Sequence, residues 1–547
     1  MCRAARTRPT LGFTDKNLYA KMSEKLSEKF EGTPASRGVV AEKLLRWKAE
    51  TKDEKDGLLM VRELQKRGKT YFAGGYVRDM LLSREFKKPF KPKDIDIATE
   101  LPPEESSAIL ESAGFETKFV GKSFGVLKAF RVDQGHALDV ATFRVEEEYA
   151  DGAHPDKVVL IRDPEKDAER RDFTINALFF DPVEGKVIDY VGGLKDIKER
   201  VLRPVGDPEK RFAEDYSRML RYVRFRNQCE LPFDRKVQDV IKRNAEKIMD
   251  IAPEKVRKEL DAILKLPKNY LAVADMERLG LLQYVLPEMS ALQEVMHPRS
   301  APYHKEGSVF RHTLEALRSF GSKPYMARMR EMLSLSEGMD PGDVRDRFFK
   351  RYGGEVPWAV LCHDLGKRTK QQTRTLPNGD TRTTFVGHEL DSRDMVRDIA
   401  KRFNFSAERR DKIMWLVENH LIPRDFPKMK VSKARAFLQH PWIEELLFVS
   451  LADSMGSIPI RAEQMNRLFE MLQEERNRPP EPKELISGKI LMEELELKPG
   501  KAIGRIKDAI REAQLEGKIK TPEEALEFAR AFKKDMKEEA PEERRKK

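Results

Sequence analysis

Two carboxylates one residue apart, Asp94 and Asp96 in "KDIDIA", alternate with Ile95 and Ile97. On a strand that spacing sends both carboxylates to one face and both isoleucines into the core. Carboxylate oxygens crowded in this way suit a hard cation such as Mg²⁺, which keeps several waters and bridges to substrate phosphates. Taken alone, the pattern equally describes an exposed strand end. Upstream, Gly74 and Gly75 close an apolar strand signal, "TYFAG", and "YVRDMLL" opens a helix. Glycines at such a junction let backbone N–H groups and the helix N-terminus approach an anion, with Arg78 in the first turns to hold a phosphate and Asp79 to orient it. Asp139 in "ALDVATFR" lies on a further strand pattern. It is either a surface aspartate on an edge strand or the third carboxylate of a two-metal phosphoryl-transfer site.

A second group of residues is built on histidine. Seven of the nine histidines fall between His297 and His440, among them His312, the adjacent pair His363-Asp364, His388 and His420, with Asp453 following. A His-Asp pair inside an apolar helical pattern, joined by His and Asp on flanking helices, can converge on one or two divalent cations. Lys367 lies close enough in sequence to offset phosphate charge beside such a site. Between the two groups, "EDYSRMLRYVRF" spaces Asp215 and Arg218 three apart, which predicts neighbours on one helical face, with Arg221 and Arg224 continuing the row. In isolation this spacing is an ordinary ion pair on an exposed helix.

The elements that must carry these groups follow from periodicity. From "TYFAGGYV" to "LDVATFRV", short β-rich runs alternate with helical patterns such as "PEESSAILESAG", which predicts an α+β head. After "GKVIDYVGG" strand signals thin out, and from Pro208 onward apolar residues recur at three- and four-residue spacing, so the remainder reads as mainly helical. The expected organisation is an extension over 1–45 with one helical stretch, a head over 46–180, a helical neck and body over 181–290, a histidine-bearing helical domain over 291–460 and a helical basic tail over 461–547. Residues 321–355 read as a polar insertion, and the closing charge run as a solvated tail.

At 547 residues the chain is too long for one ordinary core. Its 104 Lys and Arg exceed 93 Asp and Glu by 11, a balance that suits a polyanion and equally suits solubility. Cys2, Cys229 and Cys362 are dispersed and odd in number, so neither a disulfide framework nor a CxxC knuckle is in view and a reducing cytoplasm is expected. No apolar run approaches the roughly 18–20 residues that span a bilayer, so no membrane partner is expected. The basic start, "MCRAARTRPTLGF", lacks the apolar core of a secretory signal and leaves an organellar presequence open.

In order along the chain, "GGYVRD…DIDIA", "LDVATFR", "RRDFTINALFFDP", "IDYVGGLKD" and "GDPEKRFAEDYSRMLRYVRF" resemble the motifs of the class II tRNA nucleotidyltransferase and bacterial poly(A) polymerase family. The matches cover about residues 70 to 230. The resemblance implies a polymerase-beta-like head that adds CCA to the 3′ end of tRNA from CTP and ATP without a template, releasing pyrophosphate. It implies Mg²⁺ held by Asp94 and Asp96 with Asp139. It also implies nucleotide contacts from Gly74, Gly75, Arg78, Arg171, Asp172 and Asn176, base reading by Asp215 and Arg218, and triphosphate contacts from Arg221 and Arg224. Asn176 has the alternative of stabilising a turn. A partial CC- or A-adding enzyme and a poly(A) polymerase stay open within the family. Where the family has a glycine and a short link after its first helix, this chain has Ser83 and the longer "SREFKKPFKP", a surface loop or an RNA contact.

The histidine segments resemble the HD phosphohydrolase domain that follows the transferase in many bacterial relatives. That resemblance implies an unidentified divalent metal held by His312, His363, Asp364, His388, His420 and Asp453, and phosphatase or 2′,3′-cyclic phosphodiesterase activity. From another class, the chain reads as an HD phosphohydrolase whose head binds RNA. The segment "LELKPGKAIGRIKDAIREAQLEGKIKTPEEAL" resembles the helical carboxy-terminal part of such proteins and suits RNA-backbone contact or plain helix capping.

Overall fold

The computed structural model describes residues 41–87, 89–90, 94–120, 125–131, 137–147, 157–297, 307–375, 381–457, 462–477 and 484–539. The helical stretch expected before residue 41 lies outside them, as do Lys88, Lys91 and Lys93 of the basic loop. The chain forms two compact units. One runs to Ala291 and takes in Lys401–Asn404; the other comprises Leu292–Ala400 and the chain from Phe405 onward.

The first unit is organised by a mixed sheet. Its strands are β1 (Ala41–Leu44), β2 (Thr70–Ala73), β3 (Asp96–Thr99), β4 (Glu116–Phe119), β5 (Val126–Phe130) and β6 (Ala137–Thr142). A separate hairpin pairs β7 (Arg144–Glu147) with β8 (Lys157–Leu160), and β9 (Phe179–Asp181) and β10 (Lys186–Asp189) complete the main sheet. The order is β1-β10-β9-β2-β3-β6-β5-β4. Strand β3 pairs with β2 antiparallel and with β6 parallel, in a register that sets Asp96 beside Asp139. Alternation then buries Ile97 and Val140 beneath them. Strand β1, "AEKL", carries no strand signal of its own; edge pairing with β10 orders it.

Beyond the sheet the first unit is helical. The Ser217–Gln228 helix packs on Pro253–Leu264 and Asn269–Arg278, burying Leu220, Tyr222 and Val223 against Leu260, Ile263 and Val273. The polar face of Ser217–Gln228 is left to the cavity described below.

In the second unit the Ile443–Gly456 helix is buried along nearly its whole length, and Val309–Arg318, Glu355–Cys362 and Ala407–Asn419 pack around it. Residues 321–355 are not a polar insertion. They form helices Lys323–Met332 and Pro341–Tyr352, whose Tyr325, Phe348 and Tyr352 pack on Phe448 of the central helix. Their apolar residues recur at helical spacing among charges, so average polarity concealed a core-facing stripe. Helices Gly488–Glu494, Lys501–Leu515 and Pro522–Glu539 enclose a small core of their own, and the last of them runs into the charge run read as a solvated tail.

Candidate functional site

The first unit holds a cavity of ≈ 680 Å³. Its lining includes Gly74, Gly75, Arg78, Asp96, Asp139, Arg171, Asp172, Asn176, Asp215, Arg218, Arg221 and Arg224. Asp94 precedes β3 and is exposed, outside that lining. The parallel register brings Asp96 and Asp139 side by side on one face. Enclosure by the cavity walls, then repulsion from Asp139, push the Asp96 carboxyl up to about 6. Lys128, directly opposite Asp139 on β5, places Nζ 2.6 Å from Asp139 Oδ1. Asp96 and Asp139 are an all-oxygen donor pair whose like charges call for more positive charge than Lys128 alone supplies, a chemistry that suits a hard divalent cation.

Gly74 is required twice over. Its φ is +67°, and a Cβ there would lie 3.2 Å from Asp96 Oδ2. One turn on, Arg78 is buried; its Nε donates to Asp79 Oδ1 at 2.7 Å and its Nη1 to Asn176 Oδ1 at 2.8 Å, while the guanidinium lies over the Phe225 ring. Arg171 is held through Nη2 by Asp167 Oδ2 at 3.0 Å and through Nη1 by the Asn176 carbonyl at 3.1 Å. Burial alone would raise Asp167, yet Arg171 and Arg170 hold its carboxyl below the usual range. Asn176 therefore spans two arginines, one by its side chain and one by its backbone.

The far wall is a chain of ion pairs. Arg221 donates to Asp172 Oδ2 through Nε at 2.9 Å and Nη2 at 2.5 Å, and Asn176 Nδ2 donates to Asp172 Oδ1 at 3.0 Å. Against its burial, Asp172 stays below the usual carboxylate range because of Arg221. Glu259, from the Pro253–Leu264 helix, accepts from Arg224 Nε at 2.7 Å and lies 3.4 Å from Arg221 Nη1. Nothing in the sequence marks Glu259; only the packing of its helix brings "KEL" to the arginine row, together with Lys255 and Lys258.

The single helical row expected for Asp215 and Arg218 does not form. Asp215 ends the Pro208–Glu214 helix in extended backbone and accepts from the Ser217 N–H at 2.9 Å, so it precedes the next helix. The Arg218 guanidinium pairs with Glu214 Oε2 at 2.6 Å and donates to the Arg211 carbonyl at 2.8 Å rather than to the Asp215 carboxylate. Both residues nonetheless line the cavity, and the remaining N–H groups of Arg218 are oriented by those two contacts.

In the second unit, His312, His363, Asp364, His388, His420 and Asp453 converge. His312, His363 and Asp364 have ligand atoms within 4.8 Å of one another, as do Asp364, His388 and His420. Close helix approach sets this geometry: a Cβ on Gly456 would lie 2.9 Å from the Ala316 backbone nitrogen, and one turn away His312 Nε2 meets Asp453 Oδ1 at 3.0 Å. Gly366 likewise lets the turn after Asp364 pass under the His388 helix, its N–H donating to Ser392 Oγ at 2.8 Å.

The Nδ1 atoms of His363, His388 and His420 face the Val360, Phe385 and Val417 carbonyls at 2.7, 2.8 and 2.6 Å. A carbonyl can only accept, so each Nδ1 carries the proton and each Nε2 turns a lone pair inward. Burial, then His363, pushes His420 down to about 3, which keeps it neutral. His388 Nε2 and His420 Nε2 are buried without a hydrogen bond of acceptable geometry, though within 4.0 Å of Asp364 Oδ1. Inward, orphaned nitrogens beside two carboxylates fit a divalent cation. Lys367 Nζ lies 2.7 Å from Asp364 Oδ2.

Four families match parts of the chain: "Poly A polymerase head domain" over residues 70–203, "Probable RNA and SrmB- binding site of polymerase A" over 231–292, "HD domain" over 348–456 and "tRNA nucleotidyltransferase domain 2 putative" over 446–529. The CCA-adding enzyme of Bacillus licheniformis is 38% identical over 250 residues, 45% of this chain and 59% of that protein. The CCA-adding enzyme of Lactobacillus helveticus is 39% identical over 189 residues, 35% and 44% of the two chains. The chain thus spans about half the length of the curated relatives it matches. In fold it resembles the crystal structure of Bacillus stearothermophilus CCA-adding enzyme in complex with CTP, with a TM-score of 0.59 at 22% identity over 90% of this chain and 100% of that one.

Proposed function

We propose that this chain, which shares its head with the CCA-adding enzymes, adds C, C and A to the 3′ end of tRNA from CTP and ATP without a nucleic-acid template, releasing pyrophosphate. The observation that carries the reading is one cavity with the Asp96/Asp139 carboxylates on one wall, Asp215 and Arg218 on another, and arginines between.

In the reaction, the RNA 3′-oxygen bonds to the α-phosphorus as the bond to the bridging oxygen breaks, and the hydroxyl proton is lost to solvent. Asp94, Asp96 and Asp139 would hold Mg²⁺, which when bound would lower the pKa of the attacking hydroxyl and offset charge on the departing pyrophosphate. The backbone at Gly74 and Gly75, with Arg78, Arg171, Arg221 and Arg224, receives the triphosphate. Asp172 holds Arg221, Asn176 holds Arg78 and Arg171, and both reach the ribose or phosphate edge, while Glu259 holds Arg224.

Base choice follows from donor and acceptor order. Cytosine and adenine each set an exocyclic amine beside an unprotonated ring nitrogen, so the Asp215 carboxylate accepts and the Arg218 guanidinium donates. Uracil and guanine would turn an oxygen toward Asp215, and a buried acceptor facing an acceptor is costly. Glu214 and the Arg211 carbonyl preset Arg218 before any base arrives.

The test incubates tRNAs ending before CCA, after C and after CC with Mg²⁺ and each triphosphate. Addition that stops at CCA supports the reading; long A tails indicate a poly(A) polymerase, and no addition overturns both. A second reading rests on the orphaned ring nitrogens of the second unit: a divalent metal there serves hydrolysis of a phosphoester, checked by metal-dependent phosphate release that is lost in a His363→Ala plus Asp364→Ala variant. Cys229 and Cys362 are buried thiols, which suits a reducing, cytoplasmic setting.

A further inference from the structure

We infer that Arg424 is the residue that receives substrate phosphate at the histidine site and makes it selective for phosphate monoesters over diesters. The inference rests on the reading of that site as a metal-dependent phosphohydrolase. Arg424 lies four residues beyond His420, in the short helical turn Ile422–Lys428, and its side chain is 33% exposed. Its guanidinium makes no hydrogen bond among the described residues; its one close carboxylate is Asp453 Oδ2, at 3.9 Å. The other Asp453 oxygen is taken by His312 Nε2. Arg424 thus stands at the solvent side of a buried ligand cluster, held there by charge attraction rather than by directed bonds. Planar N–H donors in that state are available to a bidentate acceptor such as phosphate.

Lys367 cannot play this part. Its amine is buried, lies 2.7 Å from Asp364 Oδ2 and is roofed by the Phe385 ring at 5.5 Å. Counting formal charges, Asp364 and Asp453 balance Lys367 and Arg424, so one bound divalent cation leaves the site with two positive charges. A phosphate monoester carries about −1.5 to −2 at neutral pH, whereas a diester carries −1. Arg424, whose one close carboxylate is Asp453 at 3.9 Å, would be released toward an incoming anion if Asp453 were engaged by a cation. The charge match and the free guanidinium both favour a terminal phosphate, such as one left on a cleaved RNA end.

The test uses the full chain in an Asp96→Asn background, which weakens cation binding in the head. Mn²⁺ uptake is followed by electron paramagnetic resonance, and binding of methyl phosphate and dimethyl phosphate by broadening of their ³¹P resonances. Mn²⁺ binds, and binding is lost on adding His363→Ala and Asp364→Ala. Arg424→Gln keeps or tightens Mn²⁺ but weakens methyl phosphate about tenfold or more, Arg424→Lys restores part of the affinity, and dimethyl phosphate is weak and indifferent to either change. Retained Mn²⁺ with undiminished methyl phosphate binding in Arg424→Gln overturns the role of Arg424. Equal binding of the two esters overturns the selectivity, and absence of Mn²⁺ uptake overturns the phosphohydrolase reading and this inference with it.

Discussion

Asp96 and Asp139 are direct partners on adjacent parallel strands, and the repulsion between them is only partly relieved by Lys128, which reaches Asp139. The same register that makes the pair a candidate cation site makes it a cost to the fold. Asp96 binds its proton more tightly folded, at about 6, than at the ordinary 3.8. Because the folded state holds more protons, stability from this group is greatest at low pH and is lost as pH rises from about 4 to about 6. Without Mg²⁺, the melting temperature of Asp96→Asn relative to the parent should therefore climb across that window. A difference that is flat with pH would show that the pair is not strained.

The same linkage governs the cation. Below about pH 6 a proton competes with metal for Asp96. Mg²⁺ affinity measured by titration calorimetry should fall as pH drops from 7 to 5, and nucleotide addition with it, recoverable by excess Mg²⁺. Asp96→Asn should lose addition by about 10²–10³-fold or more at every pH, with no such recovery.

Glu259 fixes Arg224 and touches Arg221, so the arginine row has its spacing before a nucleotide binds. Glu259→Gln should leave Arg221 held by Asp172 but loosen Arg224, which keeps at most a neutral amide acceptor in place of a carboxylate. The expected outcome is a rise in KM for CTP and ATP alike by about tenfold, little change in the choice against UTP, and a stability loss of about 2–3 kcal/mol. A change confined to base choice would instead assign Glu259 to the base.

How much of this was legible beforehand differs by element. Periodicity in "KDIDIA" and "ALDVATF" placed Asp96 and Asp139 on strands but carried the first strand too far back, since Asp94 precedes β3, and it did not give the parallel register that joins Asp96 to Asp139, because pairing between distant strands leaves no local trace. Helical spacing misled at Asp215, because its carboxylate captures the Ser217 N–H and breaks the helix there. Average polarity, not spacing, misled at residues 321–355, where charges hid Tyr325 and Phe348. Glu259 and Arg424 could not be found: each gains meaning only from a neighbour supplied by another segment.

Gly74 offers a sharper test of the opening glycine pair. Gly74→Ala forces an L-residue to φ +67° and sets its methyl 3.2 Å from Asp96 Oδ2. The backbone strain costs about 1–2 kcal/mol. The methyl also shifts Asp96, so Mg²⁺ and triphosphate affinities should both fall, while Gly75→Ala, whose Cβ would meet only Arg78 Nη2 at 3.7 Å, should be milder. Equal effects at the two positions would count against this assignment.

Gly456 separates the two chemistries. A side chain there would strike the Ala316 backbone at 2.9–3.0 Å, and a helix backbone cannot yield as a flexible side chain can. Gly456→Val should push Val309–Arg318 away from Ile443–Gly456 and open the 3.0 Å contact between His312 and Asp453. Metal affinity of the histidine site should drop by an order of magnitude or more, since ligands must be held to a few tenths of an ångström. Nucleotide addition should persist, because the head has its own core in the other unit. Intact metal binding in a folded Gly456→Val protein would mean that the helix crossing does not set the ligand geometry.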